Sequence, residues 1–321
     1  MKIIFAGTPS NAATTLQALL KSEAGHFEVV AVLTRPDAPL GRKRVLTASS
    51  VAQVAEAAGI PVIKTKQVDD VAMAAIESFG ADLGVIVAYG ALLNADALKT
   101  TRLGWVNIHY SLLPIWRGAA PVQNALLRGD TTTGVSVFQL DEGMDTGPIW
   151  AQVEAEIQPD ETAGDLLKRL TSLGISALLQ VIPEIQSELK TPRPQNLGNQ
   201  PLAKKPTRES ARLSFANTAV QIERQVRALN PEPMAFATTV DGGPNDSLRI
   251  LTARALGATD WAALTDSLEH TPGLVTVKRD RVLVHCGKGT LLELKEVQPA
   301  GKKPMAANDW ARGLQNEVIL N

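Results

Sequence analysis

Asn107 and His109 stand two positions apart in the run Asn107-Ile108-His109-Tyr110-Ser111-Leu112-Leu113-Pro114. On an extended backbone that spacing sends both side chains to one face, so an amide and an imidazole enter the same crevice. Asp145 follows in Gly143-Met144-Asp145-Thr146-Gly147, a short glycine-flanked loop able to return a carboxylate to that place. No nearby hydroxyl or thiol is obliged to act as nucleophile, because the one cysteine, Cys286, lies far along the chain. The four histidines show no spacing with Cys or Asp that resembles a zinc site, and no metal is expected. Such a set suits a reaction whose nucleophile arrives with the substrate, the protein stabilising an oxyanion and moving protons. Residue types alone leave a second reading open, in which His109 is a structural residue at a strand end and Asp145 a turn former.

The elements that would position these groups follow from hydrophobic patterning. Strands are expected at Lys2–Ala6, Glu28–Leu33, Val62-Ile63, Leu83–Ala88 and Trp105–Ile108. Helices are expected between them: one capped by Ser10, then Val51–Ala58, Val71–Phe79 and Ala119–Leu127. This alternation predicts an α/β fold, a Rossmann-like, mostly parallel sheet with helices on both faces. Ligands of such sheets bind beyond the carboxyl ends of the strands, which directs attention to the end of Trp105–Ile108. A later strand pair, Val135–Leu140 and Ile149–Ile157, brackets Asp145. Thr162 and Asp165 form the signature of a capping box that opens a helix running towards Ile185. Composition then changes: Pro192, Pro194, Pro201 and Pro206 with Gly198 mark a linker. After a helix at Val220–Leu229 come five short strand-like runs, Ala235–Val240, Leu248–Thr252, Leu274–Val277, Arg281–Val284 and Leu291–Val297, which predict a small barrel. The expected division is 1–189, a linker at 190–206, and 207–321.

Several function classes drop out on motif grounds. The first strand ends in Gly7-Thr8-Pro9-Ser10, which keeps only the first glycine of a dinucleotide fingerprint, and no phosphate-binding P-loop occurs. The longest apolar run, Leu83 to Leu93, is too short for a membrane helix and is broken by Gly84 and Gly90. With 321 residues, 45% hydrophobic content, a formal charge of −1 and a single cysteine, the expectation is a cytoplasmic, non-membrane monomer of two domains. A near-neutral chain does not announce nucleic-acid binding, although a local basic patch can still provide it.

The string N-I-H-Y-S-L-L-P-I-W-R-G-A-A-P-V-Q followed by D-E-G-M-D-T-G resembles the signature of the folate-dependent formyltransferases. The resemblance assigns the catalytic positions to Asn107, His109 and Asp145. It implies 10-formyltetrahydrofolate as formyl donor and places Ser111, Leu112, Leu113 and Pro114 along the folate pocket. Asn107 and a protonated His109 are then expected to donate hydrogen bonds to the formyl oxygen. Asp145 is expected to raise the imidazole pKa and to relay the proton lost by the attacking amine.

Three further stretches resemble the branch of that family whose acceptor is initiator methionyl-tRNA. Thr34 to Arg44 is similar to that branch's basic insertion loop, Leu229-Asn230-Pro231-Glu232-Pro233-Met234 to its N-P-x-P-M stretch, and Gln298 to Met305 to its Q-P-A-G-K-K-x-M. By that resemblance, tRNA contacts fall on Arg42, Lys43 and Arg44, with Lys204, Lys205, Lys302 and Lys303 extending the track, and 207–321 is an OB-like tRNA-binding barrel. Four residues depart from the pattern: Tyr110, expected to narrow the entrance beside His109, and Ile115, Pro148 and Glu232. The alternatives are a folate-dependent hydrolase, transfer to glycinamide ribonucleotide or a nucleotide sugar, or a noncatalytic RNA-binding protein on a relic enzyme fold. Trp105 and Trp116 are read as core or pocket-wall residues, Trp150, Trp261 and Trp310 as packing anchors, and His285 as structural.

Overall fold

The computed structural model describes residues 1–23, 27–41, 44–239, 247–257, 271–314 and 318–321. Arg42, Lys43, His26, Trp261 and His270 lie outside the described residues. The chain divides into two compact units. The first comprises Met1–Pro121, Thr132–Glu156 and Leu167–Ala203; the second comprises Val122–Thr131, Ile157–Leu166 and Lys204–Asn321.

Seven strands build the sheet of the first unit. They are β1 (Lys2–Gly7), β2 (Glu28–Thr34), β5 (Val62–Lys64), β6 (Leu83–Val87), β7 (Trp105–His109), β8 (Thr132–Gln139) and β9 (Ile149–Glu156). Their order is β5-β2-β1-β6-β7-β8-β9. The first five run parallel, and the last two pairings are antiparallel. All five residues of β6 are buried, the pattern required of a central strand covered on both faces. Helices α1 (Ser10–Lys21), α2 (Ser50–Ala57) and α3 (Asp70–Ser78) connect the parallel strands. Ser49 caps α2 and Asp69 caps α3 through their side chains. Ser10, expected to cap α1, is instead its first residue; Pro9 holds the cap position and makes no side-chain bond. Helix α4 (Pro121–Arg128) starts two residues after the expected Ala119, at a proline whose missing N–H costs nothing in a first turn.

The stretch expected as a basic loop contains a small hairpin, β3 (Ala38–Leu40) with β4 (Val45–Thr47). Its turn carries Gly41 and Arg44 with positive φ, closed by a bond from the Arg44 N–H to the Gly41 carbonyl. Helix α5 (Ala163–Ser187) opens on the expected Thr162–Asp165 box, with bonds in both directions. It has the length and apolar composition of a membrane span. Its apolar side, including Leu170, Leu178, Val181, Ile182 and Ile185, is buried in the protein, as in a core helix.

The second unit wraps an antiparallel sheet around α6 (Ala219–Leu229). Its strands are β10 (Phe236–Thr238), β11 (Ser247–Ala255), β12 (Val275–Lys278), β13 (Arg281–Cys286), β14 (Thr290–Pro299) and β15 (Met305–Ala306), followed by α7 (Ala307–Ala311). The order is β10-β11-β14-β13-β12, with β15 on β14. The end of the chain bridges the two outer strands. Thr238 and Asn321 exchange backbone bonds on one side, while Val275 donates to the Val318 carbonyl and Leu320 to the Gly273 carbonyl on the other. These isolated bridges link the two ends of the sheet, in keeping with the expected barrel. Ile222, Val226 and Leu229 of α6 join Leu248, Val282, Val284, Leu292 and Leu294 in its core.

Strand β7, which carries Asn107 and His109, is anchored at its start by Trp105. That ring is fully buried, and its Nε1 donates to the Ala97 carbonyl at 3.1 Å. The neighbouring residue on β6 is Gly84, where an added Cβ would meet the indole at 2.1 Å. The indole lies where a side chain would otherwise stand. We expect Gly84→Ala to destabilise the protein by about 1–3 kcal/mol, the usual range for overpacking, read as a lower urea midpoint. An unchanged midpoint would mean that Trp105 is not held by this contact.

Candidate active site

His109 ends β7 and is buried, with 5% of its surface exposed. Its Nε2 lies 2.8 Å from the Trp116 carbonyl oxygen. A carbonyl only accepts, so Nε2 carries the proton and donates. The other ring nitrogen, Nδ1, faces Asp145 Oδ2 at 3.6 Å, beyond hydrogen-bond length but well within electrostatic reach. The edge of the ring meets Phe138 of β8 in a T-shaped contact with centroids 6.3 Å apart.

The same carboxylate oxygen of Asp145 accepts the Gly118 N–H at 2.7 Å. Gly118 has φ +115°, and an added Cβ would stand 3.0 Å from the Ala203 carbonyl oxygen, so the backbone shape that aims this N–H favours glycine. Asp145 itself has φ +53°. The three groups predicted from spacing thus meet in part: the structure brings His109 and Asp145 together. Asn107 sits two residues back on the same strand, its Oδ1 buried without a hydrogen-bond partner.

Behind these groups the Ser111–Pro114 segment is held by a polar network. Ser136 Oγ donates to the Ser111 carbonyl and accepts the Leu113 N–H. Gln152 Nε2 donates to the Leu113 carbonyl and to Ser136 Oγ, and Arg193 donates to Gln152 Oε1. Ser111 and Leu113 are buried, Leu112 and Pro114 half-buried, and the Leu113–Pro114 peptide is cis. Tyr110 follows the last residue of β7; its ring is buried and its hydroxyl accepts from Asn11 Nδ2 at 3.0 Å.

The electrostatics overturn one expectation. Burial holds the His109 imidazole below its ordinary value and outweighs the raising influences of Asp145 and the Trp116 carbonyl. The ring is therefore neutral near pH 7, with its proton on Nε2. Spacing could not reveal how dry the site is. Three contributors had no motif signal of their own: the Trp116 carbonyl, the Gly118 N–H, and Gln195, whose Nε2 donates to the Asp145 and Gly147 carbonyls at 3.0 and 2.7 Å.

Arg44 is exposed at the end of the β3–β4 turn, and Lys204, Lys205, Lys302 and Lys303 are exposed in the second unit. Of the other residues singled out, Cys286 is buried and its thiol is pushed up to about 12 by burial. His285 is buried in β13. Trp150 donates to Gln139 and Trp310 packs on the barrel core. Among the described residues no cluster of His, Cys, Asp and Glu is able to hold a metal. A groove of about 630 Å³ between α1 and α2, lined by Ser10, Gln17, Ser50 and Gln53 among others, contains none of the candidate site residues.

Residues 1–182 match the family described as formyl transferase, and residues 205–315 match the formyl transferase C-terminal domain. A methionyl-tRNA formyltransferase of Acidothermus cellulolyticus is 46% identical over 98% of this chain and 97% of its own. Another, from Clavibacter sepedonicus, is 43% identical over 100% of this chain and 99% of its own. In fold the chain is similar to the N-formyltransferase of Helicobacter canadensis, solved with folinic acid and dTDP-3-aminofucose. That likeness has a TM-score of 0.62 at 18% identity over 93% of this chain and 99% of the other.

The unfolded chain takes up a proton on this histidine near pH 6.5, and the folded chain only at lower pH. This contribution to stability is therefore lost as pH falls below about 6.5. An NMR titration of His109 should show a midpoint below 6.5. Asp145→Asn, which removes a raising influence, should move that midpoint lower still. A wild-type midpoint above the ordinary value would contradict the dominance of burial.

Proposed function

The chain belongs to the formyl transferase family, and from that premise we propose that it transfers the formyl group of 10-formyltetrahydrofolate to the α-amine of methionyl-tRNA, making formylmethionyl-tRNA for translation initiation. The observation that carries the chemistry is the buried pair of His109 and Asp145, with an unpaired Asn107 amide oxygen on the same strand. The acceptor is supported by likeness to methionyl-tRNA formyltransferases along nearly the whole chain, including the second unit.

The amine nitrogen bonds to the formyl carbon of the donor, the bond from that carbon to N10 breaks as the tetrahedral intermediate collapses, and the proton lost by the amine ends on N10 of the departing tetrahydrofolate. The residues present fit that donor. Asn107 Oδ1 is a buried acceptor without a partner, which is costly unless a ligand N–H uses it, and the attacking amine carries such an N–H. Asn107 offers its amide N–H to the formyl oxygen as charge develops there. His109 offers its Nε2–H as a neutral donor, once the Trp116 carbonyl that now receives it is exchanged for the formyl oxygen. A neutral imidazole suffices, since its N–H still donates. Asp145 stabilises positive charge on the ring as the proton lost by the amine is relayed away. Ser111, Leu112, Leu113 and Pro114 line the folate pocket, fixed from behind by Ser136 and Gln152.

In this reading 1–189 is the catalytic domain, 190–206 the linker and 207–321 the OB-like tRNA-binding domain of a cytoplasmic monomer. Arg42, Lys43 and Arg44 contact phosphates of the acceptor end, and Lys204, Lys205, Lys302 and Lys303 extend the track. Hydrolysis of the donor or transfer to a small amine leaves this basic hairpin and the barrel without a task.

Losing an oxyanion donor typically costs about 10²- to 10³-fold in turnover, and we expect Asn107→Ala to show a loss of that size in formyl transfer with the protein still folded. Near-normal turnover would remove Asn107 from the chemistry. Replacing Arg42 and Lys43 together should flatten the salt dependence of tRNA binding by roughly one to two in slope. A slope equal to wild type would mean the hairpin does not touch phosphate.

A further inference from the structure

The carboxylate that faces His109 comes from a residue in an unusual backbone state. Asp145 has φ +53°, a conformation that side-chain-bearing residues hold only when their surroundings insist. Within its own loop, Asp141 Oδ1 accepts the Gly143 N–H at 3.0 Å and the Thr146 hydroxyl at 2.7 Å. A further restraint comes from the proline-rich segment that leads into the second unit.

Gln195 uses both hydrogens of its amide on this loop, one on the Asp145 carbonyl at 3.0 Å and one on the Gly147 carbonyl at 2.7 Å. Its Oε1 is buried without a partner. A side chain kept for packing alone would not bury an unpaired oxygen, so the two donated bonds are what the position retains. Pro192 and Pro194 restrict the backbone just before Gln195. Arg193 exchanges backbone bonds with Ile149 at 2.7 and 2.8 Å, immediately beyond the Asp145 loop. At the far end of the segment, the Ala203 N–H donates to the Arg117 carbonyl at 2.7 Å and its carbonyl accepts the Ala120 N–H at 3.2 Å. Those contacts straddle Gly118, whose N–H holds the Asp145 carboxylate. One stretch of chain therefore braces Asp145 at its backbone through Gln195 and at its carboxylate through the Gly118 turn.

We propose that Gln195 is a positioning residue for Asp145, and that the segment from Arg193 to Ala203 is a strap that fixes the aspartate against His109. The proposal rests on the catalytic reading of Asp145 given above.

The test uses the full-length protein with Gln195→Met, which preserves bulk, and Gln195→Glu, which preserves shape and loses both donors near neutral pH. Circular dichroism melting establishes that each variant folds, and either one suffices if the other does not. We expect kcat for formyl transfer to fall about 10- to 100-fold, as for a catalytic group displaced by up to an ångström, with KM for the folate donor nearly unchanged. The His109 midpoint, followed by NMR, should drop in the same direction as in Asp145→Asn. Gln195→Met added to Asp145→Asn should cost little more than Asp145→Asn alone. The proposal is overturned if the folded variants keep the wild-type His109 midpoint, or if the two substitutions slow the reaction independently. Near-full activity of Asp145→Asn would instead reject the catalytic reading, and the NMR midpoint would still judge the strap.

Discussion

A carboxylate placed 3.6 Å from a buried imidazole, and tied there by one backbone N–H, is the constraint on which the site depends. Neither partner is stable in such a place by itself. Burial disfavours charge on His109, and a carboxylate near a dry site needs donors to replace water. The Gly118 N–H supplies one at 2.7 Å, and the Trp116 carbonyl fixes the imidazole tautomer from the opposite side. Trp116 and Gly118 both adopt positive φ, so the turn after Pro114 is shaped to aim a carbonyl and an N–H at two members of the same pair. A neutral imidazole beside a carboxylate is a poised arrangement: the ring donates from Nε2 at rest and gains a stabilising neighbour whenever Nδ1 takes a proton.

The fold carries this constraint to the place where an open parallel sheet offers room. Buried β6 is the central strand of the seven, flanked by β1 and by β7, which carries Asn107 and His109 to its carboxyl end. The change to antiparallel pairing at β8 and β9 has a direct consequence. Antiparallel β8 runs from Ser136 beside His109 to Gln139 beside Val106, so the connection to β9 leaves the sheet where β7 begins, and Asp145 reaches back from it to within 3.6 Å of the imidazole.

Much of this was legible beforehand, and the omissions have physical reasons. The same-face placement of Asn107 and His109 needs only strand alternation, and the return of Asp145 needs only a short loop between two strands. The barrel was readable as short runs with turn signals. Its closure by Val318–Asn321 was not, because pairing between distant segments leaves no local period. The β3–β4 hairpin escaped notice because its residues are nearly all exposed and do not alternate. The bond between Tyr110 and Asn11 joins residues about a hundred positions apart and has no local signal. Protonation of His109 was misjudged because a neighbouring carboxylate is visible in a sequence and a dry pocket is not. Gln195 sits fifty residues from Asp145, in a stretch whose prolines advertise a linker, and only the tertiary contact reveals its use.

The most direct test of the central claim is single-turnover formyl transfer from 10-formyltetrahydrofolate to methionyl-tRNA, comparing wild type with Asp145→Asn at equal donor saturation. If Asp145 supports the imidazole during proton movement, the variant should bind the donor normally and react about 10²- to 10⁴-fold more slowly, the range of general acid–base contributions. Equal single-turnover rates in the two proteins would contradict the account, because the buried pair would then play no part in the reaction.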